Sequence, residues 1–150
     1  MILPLYSGYQ SRMEEARCLA NLRNLYVAAS GHLLANKSWP QIPNKLVTED
    51  PKTYARAWVD ALTPFGAPHS TWICPTIQGK LQLPMDAIGQ DKHYRIDFVG
   101  TAFDADETTP RRDPRFPWFV ERAGFHSRGN LVVLADGSTT SLMDLVAQLK

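Results

Sequence analysis

The chain reads as α+β: one long N-terminal α-helix packed on a small antiparallel β-sheet, with a short helix at the C terminus. Three observations in its 150 residues predict this. Residues 6–35 hold no proline and repeat Ala16, Leu19, Leu22, Tyr26, Ala29 and Leu33 at steps of three and four, the spacing of one helix face. Near the other end, residues 130–135 form an apolar run that stops at Asp136-Gly137, a dipeptide suited to hairpin turns, and residues 138–142 return as a second strand. The middle is made of short pieces separated by prolines, as loops laid over a small sheet are.

The helix comes first, with Arg12, Glu14, Glu15, Arg17, Arg23 and Asn24 on its other faces. At ~1.5 Å per residue, thirty helical residues span about 45 Å, more than a domain of this size needs, so part of it is expected to project. Asp50-Pro51 reads as an N-cap and first-turn proline, opening a helix through Tyr54, Trp58 and Leu62 that Pro64 and Gly66 close. Residues 71–74 read as a short strand. Residues 94–103 read as a longer one, with Tyr94, Ile96 and Phe98 alternating against Arg95 and Asp97. Asp136-Gly137 is expected to form a two-residue type I′ turn. Ser141 with Asp144 has the spacing of a capping box, which opens a terminal helix over 142–149. No repeat or linker divides the chain, so 1–150 reads as one domain: a long helix over 1–36, loops and sheet over 37–150.

A net charge of +1 with interspersed signs gives no reason to expect nucleic acid as a partner. The basic cluster Arg111-Arg112-Asp113-Pro114-Arg115 reads as a solvated loop, because Asp104, Asp106 and Glu107 offset it. The apolar stretch at 1–6 is far too short to cross a bilayer, which takes roughly 20 such residues. His126 and Asp136 invite reading as a general base and its orienting carboxylate, with Ser127 or Ser138 as nucleophile. No nucleophile elbow or phosphate-cradling glycine loop accompanies them, so a structural role is expected and no enzyme activity. His126 is then expected to bond a loop carbonyl or to pack on Trp118 or Phe125. A zinc site is not expected, since Cys18, Cys74 and the histidines His32, His69, His93 and His126 show no close ligand spacing.

Four landmarks together resemble a known family. Leu3-Pro4-Leu5-Tyr6-Ser7-Gly8-Tyr9-Gln10 resembles the stretch that follows the membrane-embedded half-helix of type IV pilins and type II secretion pseudopilins. Cys18-Leu19-Ala20-Asn21-Leu22 followed by Trp39-Pro40, the mid-chain Ile73-Cys74-Pro75, and His126, Asn130 and Asp136-Gly137 in a His-x9-Asp-Gly pattern are similar to the pilin-like proteins of planctomycetes and verrucomicrobia.

The resemblance implies a pilin-like fold. It also implies a non-enzymatic structural subunit of a pilus or pseudopilus, assembling with other pilin or pseudopilin subunits and the secretion machinery to support protein export. Its place would be the periplasmic side of the inner membrane or an extracellular filament. The family's basic leader, cleavage site, methylated first residue and ~20 apolar residues that enter the inner membrane are expected to precede Met1. Without them the chain is expected to be a monomer, with Trp39, Trp72 and Trp118 facing outward towards neighbours or cargo.

Left to the residues alone, Cys18 and Cys74 are either two buried thiols or a disulfide, and the resemblance to exported proteins favours the bond. Asp104, Asp106 and Glu107, with Asp86, Asp91 and Asp113 on nearby loops, supply hard oxygen ligands; because several pseudopilins bind calcium in a C-terminal loop, they are the candidate calcium ligands. The alternative function is an exported binding module that takes a polysaccharide or peptide on a platform of Trp39, Trp58, Trp72, Trp118, Phe116 and Phe119. Exposure of Phe116, Trp118 and Phe119 as one patch discriminates the two.

Overall fold

A computed structural model describes residues 3–122, 126 and 129–148, with side chains from Arg12 onward except that of Met85. Helix α1 runs Leu3–Asn36, 34 residues, or about 51 Å at ~1.5 Å per residue. It ends where Lys37 takes a left-handed φ of 56° and His32 Nδ1 lies 3.0 Å from the Ser38 carbonyl oxygen. Its buried face is Cys18, Leu22, Leu25, Ala28, Ala29 and Leu33. The face expected from periodicity is therefore rotated: Ala16 is exposed, while Cys18, Leu25 and Ala28 join the core. The pattern misleads because the opposite side of the helix is also apolar.

Short helices α2 (Leu46–Glu49), α3 (Pro51–Leu62) and α4 (Pro75–Lys80) follow. Asp50 caps α3 as expected, its carboxylate accepting the Thr53 N–H at 3.2 Å with Pro51 in the first turn. The strand expected over 71–74 is instead a 3-10 turn, His69–Trp72, leading into Ile73. Prolines at 68 and 75 bracket this segment, leaving no room for a ladder. Asp97 holds it instead, its N–H donating to the Trp72 carbonyl and its carboxylate accepting the Cys74 N–H, both at 2.8 Å.

Four antiparallel strands form a meander in the order β1-β2-β3-β4: β1 Phe98–Gly100, β2 Pro117–Glu121, β3 Leu131–Leu134 and β4 Thr139–Ser141. Of the expected 94–103 strand only Phe98–Gly100 pairs in register with β2, flanked by backbone bonds from Arg122 to the Asp97 carbonyl and from Thr101 to the Trp118 carbonyl, both at 2.9 Å. All of β3 is buried since both faces are covered: Leu131 and Val133 enter the main core, while Val132 and Leu134 pack with Leu145 of α5 (Leu142–Gln148). The Asp144 N–H donates to Ser141 Oγ at 3.1 Å, capping α5 as expected.

The β3–β4 turn differs from the expected type I′. Gly137 alone takes a positive φ, 86°, and its N–H bonds the Leu134 carbonyl at 2.9 Å while the Leu134 N–H bonds the Ser138 carbonyl at 2.9 Å. This is a three-residue loop with a glycine bulge. A Cβ on Gly137 would stand 3.0 Å from the Tyr26 ring, so the hairpin tip lies directly on α1.

All four tryptophans and Phe119 are buried, with Trp39 and Trp118 ring centroids 4.8 Å apart and Trp58 and Phe119 5.6 Å apart. The expectation that Trp39, Trp72 and Trp118 face outward is overturned: large aromatic surfaces gain most by leaving water, and the indole N–H groups of Trp39 and Trp118 reach the carbonyls of Thr101 and Pro110 at 2.8 Å each. The aromatic platform goes with it, because only Phe116 of its six members is exposed, at 45%. Gly100 makes this packing possible; a Cβ there would meet the Trp58 ring at 2.4 Å.

Candidate functional site

Four chemistry-bearing side chains from four separate segments converge under α1. Cys18 stands on α1, Cys74 precedes α4, Glu121 ends β2, and His126 lies beyond it on the way to β3. Their ligand atoms all lie within 4.8 Å of one another. His126 Nε2 is 2.9 Å from Glu121 Oε2 and 3.6 Å from Cys74 Sγ. The residues are 0%, 0%, 1% and 6% exposed in chain order, so the cluster is sealed from solvent.

A frame of polar contacts positions the four. The Asn21 side-chain amide donates to the Ile73 carbonyl at 3.0 Å, tying the residue before Cys74 to the helix one turn on from Cys18. Thr76 Oγ1 donates to Glu14 at 3.0 Å, a second tie to α1. Asp97, which receives the Cys74 N–H, is itself held by Arg95, whose Nε donates to its Oδ1 at 2.9 Å and whose Nη2 reaches Gln78 Oε1 at 2.8 Å. On the other side the Asn130 amide donates to the Glu121 carbonyl at 2.8 Å. Asn21 and Asn130 thus each fix the backbone beside a member of the cluster.

Electrostatics inside the cluster are strongly coupled. The Cys74 thiol is held below its ordinary range, by the hydrogen bond from Cys18 first and by His126 against the cost of burial. Cys18 is pushed up, because its thiol donates to Cys74 and is buried. The His126 imidazole is raised to about 10, by Cys74 first and Glu121 next. Burial pushes the Glu121 carboxyl up, with His126 opposing. These shifts favour a negative charge on Cys74 beside a positive one on His126, while burial disfavours the charge on Glu121. Glu121 Oε1 is buried with no hydrogen-bond partner.

The structure brings three of the sequence landmarks, Cys18, Cys74 and His126, to one point and adds Glu121, which sequence reading passed over. A Glu-x4-His spacing was the available signal. Cys18, Cys74 and His126, which show no close ligand spacing along the chain, are close in space. Cys18 and Cys74 stand here as free thiols whose sulfurs are neighbours.

Other expected residues lie elsewhere. Asp136 accepts the Ser138 N–H at 2.9 Å in the hairpin turn, and the His126 Nε2 contacts are with Glu121 and Cys74. Ser127 and Phe125 fall outside the described residues. Asp104, Asp106 and Glu107 are exposed, and Asp106 spends its Oδ1 on the Thr108 N–H at 2.8 Å and hydroxyl at 2.9 Å. Among the described residues they form no group able to hold an ion; the one such group is the buried quartet. Arg111, Arg112 and Arg115 are exposed, as expected of a solvated loop.

A second feature was hidden in the periodicity. Met13, Ala20, Val27 and Leu34 are all exposed, at strict seven-residue spacing, on the side of α1 opposite Leu22, Leu25 and Ala29. Among the described residues no helix is long and apolar enough to cross a membrane. No family model, curated protein or solved structure matches the chain.

Proposed function

We propose that the chain is the globular part of a pilin-like subunit: a non-enzymatic structural protein that packs side by side through α1 with other pilin or pseudopilin subunits in a filament supporting protein export. The exposed stripe Met13, Ala20, Val27, Leu34 carries this reading. Single exposed apolar residues are ordinary, whereas four in one row along a helix suit contact with another helix. The length of α1 supports the same reading. Its first described core side chain is Cys18, and Leu3 lies about 22 Å of helix before that at ~1.5 Å per residue. Covering such a stripe stabilises an assembly by roughly 25 cal/mol per Å² of apolar surface. In this reading the mature subunit sits on the periplasmic side of the inner membrane or in an extracellular filament.

The test is in-cell cross-linking of the native gene product, beside a Val27→Glu, Leu34→Glu variant. The expected result is a ladder of cross-linked subunits that the variant loses while its melting temperature stays unchanged, because both positions are exposed. No ladder in the wild type, or codons ahead of Ile2 that encode no leader and no apolar stretch, would overturn the proposal.

A further inference from the structure

We infer that Cys18, Cys74, Glu121 and His126 form a closed, four-coordinate structural site for one zinc ion, clamping the long helix to the end of β2. The inference does not depend on how the chain assembles. Two thiols, an imidazole and a carboxylate are the donors that zinc takes, whereas calcium and magnesium need shells of six or more oxygens. With bonds of ~2.3 Å to sulfur and ~2.0 Å to nitrogen and oxygen, ligand atoms around a tetrahedral ion stand about 3.3–3.8 Å apart. Here one pair is at 2.9 Å, another at 3.6 Å, and all lie within 4.8 Å, so small side-chain shifts close the tetrahedron.

Two features ask for a cation at this point. Glu121 is a carboxylate with 0% side-chain exposure and one oxygen lacking any partner. His126 Nε2 faces both Glu121 Oε2 and Cys74 Sγ, so three donor atoms of zinc-type ligands already converge on one point. Zinc takes cysteine as thiolate, histidine as neutral imidazole and glutamate as carboxylate, so loading the site releases whatever protons these four groups hold. All four ligands are sealed from solvent, leaving no open position for a substrate. The site is therefore structural.

The experiment uses the whole chain, purified, reduced and then loaded with zinc or cobalt. Expected are one zinc per chain by elemental analysis, a higher melting temperature on loading, and, with cobalt, the visible bands of a tetrahedral ion plus thiolate-to-metal charge transfer. Glu121→Gln keeps the shape of the side chain and is expected to weaken cobalt binding by more than roughly tenfold, the scale on which even supporting residues matter. Cys74→Ser is expected to reduce the charge-transfer band, and circular dichroism checks that both variants fold. A reduced protein that takes up neither metal overturns the inference, whether its cysteines were isolated as thiols or as a disulfide. So does a Glu121→Gln variant with unchanged affinity and spectrum.

Discussion

The acid-rich loop at Asp104, Asp106 and Glu107 and the buried quartet of Cys18, Cys74, Glu121 and His126 both offer anionic donors, yet they are opposite solutions. In the loop the acids are neighbours in sequence, diverge into water, and Asp106 satisfies itself on Thr108. In the quartet the members are separated by up to 108 residues of chain, taking Cys18 to His126, and converge in a dry space. Water stabilises charge so well that exposed acids gain little by gathering, whereas a buried carboxylate must find a partner or lose its charge. Density of acids along a sequence is thus a poor guide to a site, and convergence of ligands in the core is a good one.

Substitutions at the two regions should separate them widely. Glu121→Ala should be the most damaging, costing about 3 kcal/mol in chemical denaturation of the reduced, metal-free protein, because it strips His126 and leaves a cavity in a buried ion pair. A cost within the scatter of surface variants would break the comparison. Asp97→Ala should cost about 2 kcal/mol by the same measurement, since the Cys74 N–H and Arg95 lose their acceptor.

Titration separates the two regions by direction: Thr108 holds the Asp106 carboxyl of the loop below its ordinary range, whereas the quartet holds Cys18 and His126 above theirs. Cys18 and His126 are raised, so their contributions are present below their unfolded values of 9.0 and 6.5 and are lost as pH rises. Cys74 is lowered from 9.0, so its contribution is present above that value and is lost as pH falls; between 6.5 and 9.0 it offsets the loss from His126. Stability of the metal-free protein should therefore decline as pH rises above 9.0 and through about 10, by up to about 1.4 kcal/mol per pH unit for each group. Melting curves across this range should show a shallower alkaline decline in Cys18→Ala, with the part owed to His126 remaining up to about pH 10; an undiminished decline there would assign it to other groups.

Asn21→Ala, which removes the tie from α1 to Ile73, should cost about 1 kcal/mol on denaturation. At the far end, replacing Asp104, Asp106 and Glu107 together by their amides should leave the melting temperature where it was, and calcium added to the wild type should give no calorimetric heat. A calcium-dependent rise in melting temperature that the triple variant loses would restore the loop as a site.

Much of the architecture was legible because it rests on local signals. Asp50-Pro51 opens α3, Ser141 caps α5 through Asp144, and the apolar run before Asp136-Gly137 is β3. Legibility stopped where two faces of one element carried similar residues. Along α1, apolar side chains line both the buried face and the row Met13, Ala20, Val27, Leu34, and periodicity alone does not say which of them meets the sheet. It stopped again at 71–74, where β-prone residues became a 3-10 turn because Asp97, a distant partner, took the backbone donor.

The sequence by itself determined that a long helix and a C-terminal hairpin would form, since helix periodicity, capping and turn residues act within a few positions of one another. Only the tertiary structure decided that the hairpin tip at Gly137 rests on Tyr26, that the tryptophans fill the core, and that Glu121 joins two cysteines and His126. Those outcomes depend on which surfaces the chain removes from water together, a property of the packed whole that no short window of residues contains.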